Sequence, residues 1–275
     1  MEQEKAIILE AQNVRKAFGG LVAVDDVSIQ IYAQTLHSII GPNGAGKTTL
    51  FNLLSGELQP NHGKVFFKGR DITHVPPHRI AHLGIGRSYQ ITNIFSNLTV
   101  LENVRLAAQA QGKDNFRLLA RADSLRPYLE KARSVLEQVG LSGREEVLAR
   151  NLSHGGKRKL ELGIMLAGDP EIMLLDEPTA GMSSEQVPEL LEIIHAIQAN
   201  GQRTIVLVEH RMDMVMSISD RITVMHQGQI LAEGKPYEIA ANQRVQQAYL
   251  GALYGDLGAQ LAEQENGSNA EVRDD

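Results

Sequence analysis

The chain has 275 residues, 43% of them hydrophobic and 22% charged, with a formal net charge of −6 and no cysteine. The length suits one large domain or two small ones, and the missing cysteines exclude disulfides and thiolate metal sites and fit a reducing compartment. Apolar runs reach only about five residues where a membrane span needs about 20, and the start MEQEKAIILEAQ is too polar for a signal peptide, so a soluble chain is expected.

Ala6 to Gln12 and Val27 to Tyr32 read as strands, rich in β-branched residues and partly alternating. Between them Phe18 precedes Gly19-Gly20, in an expected turn close in sequence to the stretch that follows; an aromatic there can stack on a base or simply pack a turn. Leu36 to Ile40 is a short apolar strand that runs into GPNGAGKTT. Gly41, Pro42, Asn43, Gly44, Ala45, Gly46, Lys47, Thr48 and Thr49 fit the pattern GxxxxGK[ST] in its strand–loop–helix setting. Glycines let the loop turn its N–H groups onto one anion, and the following helix adds its positive end. Lys47 is placed to reach outer phosphates and Thr48 to offer its hydroxyl to Mg²⁺.

A helix is expected over Thr48–Gly56, a strand over Lys64–Lys68, a turn at Gly69-Arg70-Asp71, a short helix over His78–Leu83 and a strand over Ile85–Tyr89 running into Gln90. His78 and His82 stand four apart but lack a completing carboxylate, so they read as a solvated helix face. From Asn97 to Gly140 the periodicity becomes helical, with one stretch over Thr99–Gln111 and more over Leu118–Gly140. Lying between strand-rich regions, this segment reads as a helical insertion in an α/β domain. Ser153 in Leu152-Ser153-His154-Gly155-Gly156 is a natural N-cap for the helix KRKLELGIMLAG.

Ile172–Leu175 reads as a buried parallel strand ending in Asp176-Glu177-Pro178, and Thr204–Val208 as another ending in Glu209-His210. Helices are expected over Ser184–Asn200, Met212–Ser219 and Pro236–Leu250, and strands over Arg221–His226 and Gln229–Ala232. Gly255–Asp275 holds six acids against one base and no aromatic residue, so a disordered tail is expected. The rest is nearly neutral, and the overall acidic balance argues against nucleic acid as a partner.

In doubly wound sheets ligands bind at the carboxyl ends of strands. Gly41, Gln90, Asp176-Glu177 and Glu209-His210 all end strands, so one crevice is expected to gather them. Asp176 fits an acid that orders Mg²⁺ beside a phosphate loop, and Glu177 a base that polarises water. Gln90 can contact metal and water, and His210 a γ-phosphate. The LSHGG turn is a second anion site, with a serine hydroxyl, glycine N–H groups and a helix N-terminus. One nucleotide does not need two such sites in one chain, whereas a symmetric pair uses both if each LSHGG covers the other chain's loop.

In this order the elements resemble the nucleotide-binding subunit of ATP-binding cassette (ABC) transporters, over roughly residues 6 to 252. The resemblance implies an α/β P-loop NTPase cassette: a mostly parallel sheet, an N-terminal antiparallel β subdomain and an inserted α-helical subdomain at about 93–165. It implies ATP and Mg²⁺ as cofactors. Phe18 then matches the base-stacking aromatic, Gly41–Thr49 the Walker A loop, Gln90 the Q-loop, Leu152–Gly156 the signature motif with Ser153 and Gly155 facing phosphate. Ile172–Asp176 match Walker B, with Thr48, Gln90 and Asp176 about the metal; Glu177 matches the catalytic glutamate and His210 the switch histidine. His154 stands where the family usually has Gly, Gly156 where it has Gln, and Ser183 where the loop Ala180-Gly181-Met182-Ser183 usually carries Asp.

The strings FGGLVAVDDVS, GIGRSYQITNIFSNLTVLENV, DEPTAGM, VEHRMD and RVQQAYLG look like the importer group for branched-chain and other hydrophobic amino acids, the LivG-like subunits. ATPases of urea/amide import and of lipopolysaccharide export are similar too; a soluble ABC-type ATPase acting on nucleic acid or ribosomes, or a P-loop kinase, are the readings of other classes. The resemblance implies transmembrane permease partners, a second ATPase subunit, a periplasmic or extracellular solute-binding protein, and a peripheral position on the cytoplasmic face of a prokaryotic membrane. The segment near Asn93–Val104 would meet a membrane-subunit helix.

Overall fold

The computed structural model describes residues 5–88, 94–110, 126–201 and 203–249. Tyr89 to Asn93, and with them Gln90, lie outside the described residues, as does the tail from 255 for which disorder is expected.

Two sheets form the frame. The first is antiparallel, in the order β2-β1-β4-β5, built from β1 (Ile7–Phe18), β2 (Leu21–Tyr32), β4 (His62–Phe67) and β5 (Arg70–Asp71). The second has the order β10-β9-β3-β8-β7-β6: β3 (Leu36–Ile40), β6 (Ile85–Arg87), β7 (Ile172–Asp176), β8 (Thr204–Val208) and β9 (Arg221–His226) run parallel. β10 (Gln229–Gly234) closes the edge antiparallel to β9. Helices are α1 (Lys47–Leu54), α2 (Pro77–His82), α3 (Val100–Ala110), α4 (Arg126–Gln138), α5 (His154–Ala167), α6 (Val187–Ala199), α7 (Met212–Ile218) and α8 (Pro236–Ala241), with a further helical stretch at 243–249. Among the described residues no helix is long and apolar enough to cross a membrane.

Every residue of β3, β7 and β8 is buried, so these strands are mostly apolar, with His37 and Ser38 of β3 buried among them. The pleat sends alternate side chains to opposite faces. Ile172, Leu174, Val206 and Val208 join the core shared with α1 and the antiparallel sheet. Met173, Leu175, Ile205 and Leu207 join the core shared with α3, α4, α5 and α6. The sheet is thus sandwiched, and its carboxyl edge is left for chemistry.

Three sequence expectations change. β1 and β2 run on to meet at a two-residue turn, Gly19-Gly20, and Phe18 ends β1 opposite Leu21 instead of sitting in a turn. Register shifts at Ala11/Val14, Val14/Lys16 and Lys16/Ala17 break the two-residue period, so the pattern lapses where the strand does not. Arg70-Asp71, expected as turn, pairs with Phe66 and Phe67 as β5. α6 begins at Val187, not Ser184, with Pro188 in its first turn, where a missing N–H costs nothing.

His37 lies inside β3 and is fully buried; its Nε2 is 2.8 Å from Thr223 Oγ1 and its Nδ1 has no hydrogen-bond partner among the described residues. Burial, and then the charge of Arg221, pulls its pKa down to about 3. The unfolded chain binds a proton at His37 near pH 6.5 while the folded chain does not. The site's full contribution is therefore present above pH 6.5 and is lost as pH falls toward 3. Urea unfolding at pH 7 and pH 5 should show His37→Gln losing about 2 kcal/mol less than the parent across that step; equal losses would contradict this.

Candidate active site

The loop 41–46 leaves β3 and enters α1, and two backbone walls shape it. A Cβ on Gly41 would lie 2.3 Å from the carbonyl oxygen of Met225 in β9, and one on Gly46 2.3 Å from that of Ala23 in β2. Gly46 also has φ +96°, which L side chains rarely adopt. The loop is tied down by Ala45 N–H to Pro42 O (3.2 Å), Gly228 N–H to Ala45 O (3.0 Å) and Asp25 N–H to Gly228 O (2.9 Å). Both sheets therefore hold one short segment in one shape.

Lys47 is 5% exposed and donates from Nζ to Gly41 O (2.8 Å) and Pro42 O (3.0 Å). Burial lowers its pKa, while the charges of Glu177 and Asp176 push it back up. The ammonium thus waits inside the loop on two carbonyls that an arriving phosphate can replace. Thr48, next on α1, is exposed.

β7 and β8 end beside the loop. Asp176 is 2% exposed; its N–H donates to Ser88 Oγ (2.9 Å), and its Oδ1 is buried with no hydrogen-bond partner among the described residues. Burial, then the neighbouring charge of Glu177, raises its pKa. A buried carboxylate with an unsatisfied oxygen, within electrostatic reach of Lys47 in the loop, fits a hard oxygen-seeking cation such as Mg²⁺. Among the described residues no three His, Asp, Glu or Cys side chains gather to hold a metal by themselves, and His78 and His82 are exposed.

Glu177 takes φ +47° at the turn after β7, which aims its carboxylate back over the strand ends. Its Oε1 lies 2.6 Å from His210 Nε2. A carboxylate has no proton to give, so the imidazole donates. Phe18, Asn43–Thr49, Glu177 and His210 line one cleft of about 600 Å³. Phe18, 47% exposed, and Leu21, 68% exposed, form its apolar rim, and Lys16 Nζ is 5.4 Å from the centre of the Phe18 ring.

Ser153 and Gly155 are elsewhere. Ser153 caps α5, its Oγ accepting from Gly156 N–H at 3.2 Å. With Gly155, Gly156, Arg144 and Lys159 it lines a separate cavity of about 400 Å³. The structure thus brings the loop, Asp176, Glu177 and His210 together and leaves the LSHGG turn apart.

The sequence places Glu209 among the strand ends expected at the crevice but gives it no role. It is 3% exposed; Oε1 accepts from Thr179 Oγ1 (2.6 Å) and Thr179 N–H (3.3 Å), and Oε2 from His210 N–H (3.1 Å). One carboxylate thereby joins the turn after Glu177 to the backbone of His210. Its signal was a charged residue closing the apolar run TIVLV, which is costly unless donors meet it.

A phosphate cradle with a buried lysine, followed across a parallel sheet by a strand-end acid pair, defines a P-loop nucleoside-triphosphate-binding protein. A model of the ABC transporter family matches residues 24–180, and one described as branched-chain amino acid ATP-binding cassette transporter matches 229–253. The chain belongs to the ABC transporter family, as an ATP-binding cassette. It is 39% identical over 249 residues to the high-affinity branched-chain amino acid transport ATP-binding protein LivG of Escherichia coli K12, covering 89% of this chain and 98% of that one. It is 38% identical to BraF of Pseudomonas aeruginosa, over 89% and 98% of the two chains. The ADP conformation of MJ1267, an ATP-binding cassette of an ABC transporter, superposes with a TM-score of 0.76 at 31% identity, covering 90% of this chain and 99% of that one.

Glu209→Gln should leave a donor NH₂ facing either Thr179 or His210 N–H. In steady-state ATP hydrolysis kcat should fall about tenfold, with a smaller change in KM. An unchanged kcat would remove Glu209 from the site's support.

Proposed function

We propose that this chain is the ATP-hydrolysing subunit of an importer for branched-chain or other amino acids. It works at the cytoplasmic face of a prokaryotic membrane with transmembrane permeases, a second ATPase subunit and a solute-binding protein. The observation that carries the enzymatic part is the 2.6 Å Glu177–His210 contact at the mouth of the lysine-bearing loop. Likeness to LivG and BraF along nearly their whole length, and the match over 229–253, support the amino-acid part.

ATP enters the cleft with its base against Phe18 and its phosphates against the N–H groups of residues 43–49. Lys47 transfers its hydrogen bonds from Gly41 O and Pro42 O to phosphate oxygens, which relieves the burial of an ammonium among carbonyls. Thr48, Asp176 and Gln90 would hold Mg²⁺, which neutralises phosphate charge. Glu177 polarises the attacking water and takes its proton, while His210 keeps that carboxylate over the strand ends and faces the γ-phosphate. The second anion cradle, Ser153 and Gly155, serves the nucleotide of a facing cassette.

Each closed pair thus grips ATP between two chains, and ATP shifts the population toward closure. The cassette body comprises residues 6–252, with a helical insertion at about 93–165 that passes closure to the permeases. Hydrolysis reopens the pair, and linkage ties nucleotide occupancy to the membrane subunits.

Glu177→Gln keeps the shape and removes the base. Nucleotide binding should stay within about threefold of the parent, while steady-state phosphate release falls at least about a hundredfold. Parental turnover in that variant would overturn the role given to Glu177.

A further inference from the structure

His154 lies where the helix cap meets the catalytic turn of its own chain. A Cβ on Gly181 would lie 3.2 Å from His154 Cε1 and 3.3 Å from Nε2, so the imidazole sits on the backbone of Gly181. Beside it, a Cβ on Gly155 would meet Gln186 Oε1 at 3.2 Å and Met182 Cε at 3.4 Å. The first turn of α5 therefore abuts the 181–186 segment at two adjacent points.

That segment is short and continuous with Glu177. Ala180 N–H donates to Glu177 O (3.0 Å) and Met182 N–H to Thr179 O (3.1 Å). Thr179 is fastened to Glu209 from the other side. Two tight turns thus separate the histidine ring from the base. Gly181 itself has φ +75° and is exposed, as is His154, and the three atoms nearest to where its Cβ would stand all belong to the His154 ring.

We propose that His154 is a positioning residue for hydrolysis: its ring, resting on Gly181, couples the Ser153 cap in cis to the turn that aims Glu177. A nucleotide phosphate drawn to the Ser153 cap of one chain then reports to that same chain's base, which serves the other nucleotide. The ring acts by its shape and not by its charge. This rests on the reading of Glu177 as the base and deepens it.

The test is ATP hydrolysis by the full-length chain carrying His154→Ala or His154→Phe, with thermal unfolding measured alongside. His154→Ala should lower kcat about tenfold with KM for ATP and the unfolding midpoint nearly unchanged, because a seat lost under the turn misplaces the base. His154→Phe keeps a flat ring and should retain kcat within about twofold. A parental kcat in His154→Ala would overturn the proposal, as would equal loss in both variants. So would a change confined to KM, which would make His154 a nucleotide contact. A parent chain that hydrolyses no ATP at all would instead contradict the reading of the site itself.

Discussion

Two backbone carbonyls and two glycines set the geometry on which the rest depends. Ala23 O and Met225 O press on the phosphate loop so closely that no Cβ fits at Gly46 or Gly41. They come from different sheets, β2 and β9, so the loop's shape records how those sheets are placed against each other. Folding meets the cost of ordering a glycine-rich segment before any ligand arrives. What remains for binding is the exchange of carbonyls for phosphate at one buried ammonium.

The same economy governs the acids. Parallel strands β3, β8 and β7 are neighbours, so their carboxyl ends share one edge although more than a hundred residues separate Ile40 from Asp176. Asp176 is sunk in that edge, and burial raises its pKa; Glu177, one residue on, is turned outward by a left-handed backbone onto His210. Adjacent carboxylates thereby receive different environments, one buried in the strand ends and one held against His210. Glu209 fixes the arrangement from behind, and its three accepted hydrogen bonds explain why a charge is tolerated there.

What the sequence disclosed follows from the physics of each element. β3, β8 and β9 run between the bounds their mainly apolar, β-branched stretches mark, and the polar residues buried in them, such as His37, Ser38 and Thr223, are hydrogen-bonded. Ser153 as a cap was legible from one residue and its setting. β1 and β2 were legible only in part, since bulges shift the alternation by one residue and disguise a continuous hairpin. The Glu209 bridge and the His154–Gly181 contact were not legible. Each joins segments distant in sequence, and neither leaves a periodic mark. The parts of the site that depend on local spacing were therefore visible, and those that depend on packing had to be seen in three dimensions.

The separation of the two anion cradles bears most directly on the mechanism. Ser153 opens onto one cavity and Lys47 onto another, so on the proposed reading each is half of a site that a facing chain completes. Because the chain has no cysteine, one engineered pair reports without interference. Cysteines at Ser153 and Asn43 of the full-length Glu177→Gln chain can be challenged with an oxidant in the presence and absence of ATP and Mg²⁺. The account predicts an ATP-dependent disulfide between two chains, lost when Lys47→Ala is added. A bridge that forms only within one chain, or equally well without ATP, would contradict it.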